Sequence, residues 1–206
     1  MTDIEKLLDT LLSDITFIEE RKIPAIDLYM DQVTTFMDKH LKNNKRFEDD
    51  KILTKTMINN YAKNDLLPPP VKKRYSKQHV IMLIFIYYFK NFLSISDIKS
   101  ILNPISDKYF DGNENLSLDE IYSEIIKMEK SMTKDIREDI ASKIDFAKNS
   151  FSEATDKDKD YLHLFMLIMS LSYDVYIKKQ LIECIVDEIN KDLPDETSSK
   201  KKKDDK

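Results

Sequence analysis

The chain has 206 residues and a net charge of −5, with one Gly, six Pro and one Cys. So little glycine argues against a β-rich fold, which needs glycine in its turns. The lone Cys184 excludes an internal disulfide and any cysteine-cluster metal site.

A hydrophobic fraction of 41% supplies a core for one domain or two small ones. Lys, Glu, Leu, Ile and Met are abundant and predict a mostly helical, all-α chain. The start, "MTDIEKLLDTLL", has early acids and no basic leader, so no signal peptide is expected. The longest apolar run, near Leu162–Leu171, is broken by His163 and Ser170 and is too short to span a bilayer. These features predict a soluble, cytoplasmic protein with no membrane contact, and a single cysteine fits a reducing compartment.

In chain order, Ile4, Leu7, Leu8, Leu11, Leu12, Ile15 and Ile18 recur at helical spacing and predict an amphipathic helix over 3–20. Pro24 suits the first turn of a second helix, 25–41, expected to bury Ile26, Tyr29, Val33, Phe36, Met37 and Leu41. A charged loop, "KNNKRFEDDK", follows. Thr54 opens a short helix ending near Asn64, and Asp65 stands where the chain needs a residue tolerant of positive φ. "LLPPPVKKRYS" cannot be helical, because proline lacks an amide donor and pushes the preceding residue to extended geometry. A short two-stranded or irregular turn is expected there.

Ser76 caps the next helix, about 77–92, which is apolar nearly all round and therefore central and buried. Ser94 with Asp97 reads as a capping box for a small helix that Pro104 stops, leaving a linker over 105–115. Ser117 with Glu120 is a second capping box. It opens a long helix to about 149, with Met128 and Met132 on a stripe expected to be core. A last helix covers about 156–191, and the tail "DETSSKKKKDDK" reads as disordered. The chain thus divides into a helix within 1–23, a module at 24–104, a helical region at 112–191 and a tail at 192–206.

Charge is divided unevenly among these parts. Residues 51–79 carry a net of +6, whereas residues 111–190 carry −8. Such asymmetry points to an anion-facing module attached to something else. A short helix exposing Lys55, Thr56, Asn59, Asn60 and Lys63 suits a major groove, since amides bond base edges and Lys and Thr reach phosphates. Beside it, Lys72, Lys73 and Arg74 can bracket neighbouring phosphates, on a turn stiffened by Pro68, Pro69 and Pro70. Tyr61 and Tyr75 read as packing residues with wet hydroxyls.

The stretch "ILTKTMINNYAKNDLLPPPVKKRYSKQHVIMLIFIYYFKNFLSISDIKSIL" resembles the DNA-binding region of MerR-type regulators. Ile58 to Tyr61, Leu66 to Pro69, Tyr75–Ser76 and Ser94 to Ile98 fall at that family's recognition helix, "GLLPP" turn, "Y-S" pair and following small helix. The resemblance implies a winged helix-turn-helix with a minimal wing, followed by a helical C-terminal half. Asn59 stands where that family usually has arginine, Asn60 where it has an aromatic, and Asp65 where it has glycine. The segment from Pro24 through "IDLYMDQVTTFMDKH" to Ile101 more closely resembles a bacterial family catalogued as domain of unknown function 1836.

The expectation is therefore a bacterial transcription regulator that binds double-stranded DNA as a homodimer. Its acidic helical half would mediate dimerisation or sense an effector. The alternative is a non-enzymatic interaction module whose basic patch docks an acidic partner or the chain's own acidic half. No catalytic, metal or cofactor site is expected. His40 and His163 have no partner at metal spacing, and a calcium-loop reading around Asp107, Asp111 and Gly112 fails because Leu118 stands where a bidentate Glu is needed. His79, at a helix start, reads as structural or phosphate-facing.

Overall fold

In a computed structural model, residues 4–112 and 114–192 form seven α-helices and one two-stranded sheet. The first helix, α1 (Ile4–Asp14), is shorter than the 3–20 its apolar spacing suggests. The chain leaves the helix because Ile18 is drawn into the core at 4% exposure. The Phe17 N–H donates to Glu129 Oε1 at 2.7 Å, and the Ile18 carbonyl accepts from the Tyr122 hydroxyl at 2.5 Å. A 3-10 turn, Glu20–Lys22, follows.

The second helix begins late. Residues 24–27 lead not into a helix but into β1 (Leu28–Tyr29), and α2 spans Met30–Leu41. Pairing with a later strand holds Leu28 and Tyr29 extended, and Gln32 Oε1 accepts from the Tyr29 N–H to open the helix. Ile26 and Tyr29, expected in the core, are consequently exposed, while Val33, Met37 and Leu41 are fully buried. A 3-10 turn (Lys42–Asn44) and a loop lead to α3 (Lys55–Lys63), which Thr54 caps by accepting the Met57 N–H at 3.2 Å. The expected positive φ at Asp65 is present, at 56°. It turns the chain so that the Leu66 N–H reaches the Tyr61 carbonyl at 2.9 Å.

After the three prolines a tight turn enters β2 (Arg74–Tyr75), antiparallel to β1 with Leu28 opposite Tyr75 and Tyr29 opposite Arg74. Then α4 (Lys77–Phe89) runs through the core with Ile81 to Ile84 and Ile86 at 0% exposure. The next helix, α5 (Ile95–Tyr109), has the Ser94–Asp97 box but does not stop at Pro104. Proline removes one N–H bond inside a helix. Here Ile101 and Ile105 pack against the core on either side of it, and α7, described next, lies along the same helix, so burial overrides the local penalty. The linker shrinks accordingly.

Ser117 and Glu120 cap α6 (Leu118–Lys148), and α7 (Asp156–Asp192) returns along α6 and α5. Residues 193–206, most of the tail read as disordered, lie outside the described residues. The main core runs from Ile18 to Tyr122, with Ile125, Ile126 and Ile182 packed onto it. A second, small cluster joins Ile144, Ala147 and Leu167. Met128 and Met132, expected in the core, are about half exposed, as is Met169, because the middle of α6 and the adjoining face of α7 lie beyond both clusters. Among the described residues no helix is long and apolar enough to cross a membrane.

Candidate nucleic-acid interface

The α3 helix divides cleanly into two faces. Ile58 and Tyr61 are buried and fix it to the core. Lys55, Thr56, Asn59, Asn60 and Lys63 all stand exposed on the other side. Its entry is held from behind: Lys90 Nζ, on the next turn past α4, donates to the Ile52 carbonyl. Its exit is held by the Asp65 turn. The five polar side chains predicted to read DNA therefore share one outward surface on a helix anchored at both ends.

The basic turn is a hairpin tip. The Arg74 N–H donates to the Val71 carbonyl at 2.9 Å, and Lys72 and Lys73 sit at φ of 50° and 65°. Two consecutive left-handed residues define the type I′ turn that matches strand twist, a geometry usually given to Asn-Gly. Lysine there costs about 1–2 kcal/mol of backbone strain per residue. The strained turn carries two cations exposed to solvent, and residues held in such conformations cluster at functional sites. Arg74, next along, lays its guanidinium 5.5 Å from the Tyr29 ring centroid, a cation–π contact that steadies it.

Pro68, Pro69 and Pro70 form the extended approach, and Tyr75, at 3% exposure, pins its far end. Burial raises the Tyr61 and Tyr75 hydroxyls above their usual range, so both stay neutral packing groups. The helix and the hairpin are both tied to the β1–α2 unit: Lys55 pairs with Asp31 at the start of α2, and Arg74–Tyr75 pairs with Leu28–Tyr29.

Two residues at the end of the basic segment have other duties. Lys77 is claimed by Glu20 at 3.1 Å and Asp119 at 2.7 Å and stitches the 3-10 turn to α6. His79 is 3% exposed. Its Nδ1 accepts the Ser76 N–H at 3.0 Å, and its ring meets Tyr75 and Phe110 edge-on, so it faces no phosphate. Burial lowers the His79 pKa. The nearby Pro69 and Pro68 carbonyls pull the other way, without meeting Nε2 in a well-formed hydrogen bond. A cleft of about 300 Å³ beside the hairpin is lined by Asp27, Arg74, Gln78, His79 and Asp111 among others. With two carboxylates against the single cation Arg74, it is not an anion pocket.

Sequence reasoning missed β1, Tyr29 and Asp31 as parts of this surface. A two-residue strand is too short to show alternation, and the pairing is carried by backbone atoms. The connection from α2 to α3, residues 42–54, also exceeds the three-to-four-residue turn of a helix-turn-helix.

The assembled surface defines a class: a mostly helical module around one buried helix, presenting a polar helix face and a short, strained basic hairpin. The sequence profile of the family described as "Domain of unknown function (DUF1836)" matches residues 18–125, more than half of the chain, and the chain belongs to that family. The matched segment coincides with the physical core, which begins at Ile18 and ends with Tyr122 and its neighbour Ile125. No curated protein and no solved structure matches the chain.

Proposed function

We propose that the chain is a bacterial DNA-binding transcription regulator whose module works as a MerR-like winged helix-turn-helix. In this reading α3 enters the major groove. Asn59 and Asn60 bond base edges, Lys55 and Thr56 position the helix, and Lys63, Lys72, Lys73 and Arg74 neutralise phosphates. The observation that carries it is the two-lysine turn: strained backbone spent on exposed positive charge, beside a helix whose whole outward face is polar. Double-stranded DNA is the partner. Association into a homodimer through the acidic helical half would present two modules to a two-fold operator. An effector would act on that same half.

A second reading has two ion pairs in its favour. Lys77, drawn from the basic segment, already docks on Asp119 of the acidic half, and Lys55 is paired with Asp31. A module built this way could bind acidic protein surfaces instead of DNA.

Fluorescence anisotropy separates the two. The full chain, titrated at two salt concentrations against the duplex upstream of its own gene and against a scrambled duplex, should bind the first more tightly. Both affinities should fall steeply with salt. Asn59→Ala with Asn60→Ala should erase the preference between duplexes while leaving most of the salt dependence. Absence of binding to either duplex at low salt would end the DNA reading in favour of the acidic-partner one.

A further inference from the structure

The cleft beside the hairpin is where four segments of the module meet. Asp27 comes from the approach to β1, Val71 and Arg74 from the hairpin, Gln78 and His79 from the first turn of α4, and Phe110 and Asp111 from the residues that end α5. Its polar side chains are largely unspent. Among the described residues, the side chains of Asp27, Gln78 and Asp111 enter no hydrogen bond and no ion pair. Arg74 rests against the Tyr29 ring and makes no ion pair with either aspartate.

Behind them lies His79, 3% exposed. Its Nδ1 accepts the Ser76 N–H and burial favours the neutral ring, so the proton sits on Nε2. That buried atom meets no well-formed hydrogen bond, and unpaired polar atoms of this kind are uncommon. The ring lines the cleft and brings an unspent donor to it.

We propose that this cleft binds a free basic amino acid, its two cationic groups on Asp27 and Asp111 and its carboxylate on Arg74. Charge selects the class. Two carboxylates and one guanidinium leave the cleft at a net −1, and the last carbonyls of α5 beside it add partial negative charge. A ligand with two cations and one carboxylate is the complement, and guanidinium holds a carboxylate through two parallel N–H bonds.

Size and shape agree. About 300 Å³ is room for about ten waters at roughly 30 Å³ each, and lysine and arginine have about ten and twelve non-hydrogen atoms. Val71, 70% exposed, and the Phe110 ring give apolar walls for the methylene chain. A metal ion is the poorer occupant, since among the described residues no three His, Cys, Asp or Glu side chains gather to hold one. The site is separate from any effector site on the acidic half, and it does not require that the module bind DNA.

Gly112 supplies the test. It lines the cleft and is the chain's one glycine, so [15N]glycine labelling marks the site with a single glycine amide signal. In the full chain at constant ionic strength, L-lysine and L-arginine should each shift that signal saturably, with a Kd of about 1 mM or tighter. L-Norleucine, which lacks the second cation, and L-lysinamide, which lacks the carboxylate, should bind at least about tenfold more weakly. Asp27→Asn and Asp111→Asn, at exposed positions without hydrogen bonds, should each weaken L-lysine about tenfold with an unchanged circular-dichroism spectrum. Asp14→Asn, outside the cleft, should leave binding unchanged. A Gly112 signal unmoved by either basic amino acid up to about 20 mM overturns the proposal. So does an equal response to L-norleucine or L-lysinamide, the latter pointing to a lysine within a peptide, or binding indifferent to both asparagines.

Discussion

The fourth and seventh helices are opposites. Nine of the thirteen residues of α4 are buried, from His79 to Tyr87. In α7, a helix of 37 residues, only Leu167 and Val186 reach that state among the described residues. Both carry long apolar runs, so apolarity alone does not place a helix in a core. The fourth is short and surrounded: α5 and α6 pack on it, and β2 leads into it. The seventh outruns its neighbours. One region of the molecule is complete in itself, and the other offers surface.

The largest effect that tests this contrast is a core truncation. Ile84→Ala, at 0% exposure, should lower the unfolding free energy by about 2–5 kcal/mol in urea denaturation. The same deletion at Ile177, 46% exposed on α7, should change it by no more than about 0.5 kcal/mol. Equal losses would dissolve the distinction.

Next in size is the bond that pins the segment after α1 to α6. Tyr122→Phe removes the hydroxyl that donates to the Ile18 carbonyl and leaves that carbonyl unpaired in the core. A loss of about 1–3 kcal/mol should follow, and a neutral result would mean that water or a neighbour replaces the bond.

A smaller effect is pH-dependent. Burial holds the His79 pKa below its usual value of about 6.5. The unfolded chain therefore takes up its proton first as pH falls. Stability from this residue is complete above about 6.5 and declines below it until the folded chain titrates too. His79→Gln keeps an acceptor for the Ser76 N–H and removes the titration. Thermal midpoints between pH 7 and 5 should fall less in the variant, and parallel curves would show that another group, such as His40, whose pKa burial also lowers, carries the dependence.

Much of this fold was legible in the sequence, for local reasons. The caps at Thr54, Ser94 and Ser117, the turn at Asp65 and the buried α4 each follow from residues within a few positions of one another. What was not legible depended on distant partners. Nothing near Ile15 ends a helix there; Glu129 and Tyr122, more than a hundred positions away, hold the extended segment. Pro104 is a local stop that packing overrules, and β1 exists because β2 pairs with it. At the candidate interface the exposed face of α3 was readable from spacing. The strain at Lys72 and Lys73 was not, since no glycine or asparagine marks the turn.

That turn offers the most direct test of the account. Lys72→Asn with Lys73→Gly installs the pair a type I′ turn favours and removes two cations at once. If the strain serves to place charge, the variant should unfold at higher temperature, gaining about 1 kcal/mol or more. It should also bind duplex DNA more weakly, with a salt dependence shallower by roughly two units on the log–log plot. A variant that is more stable and binds DNA with unchanged affinity and slope would contradict the account, because the lysines would then be strained without touching the phosphates.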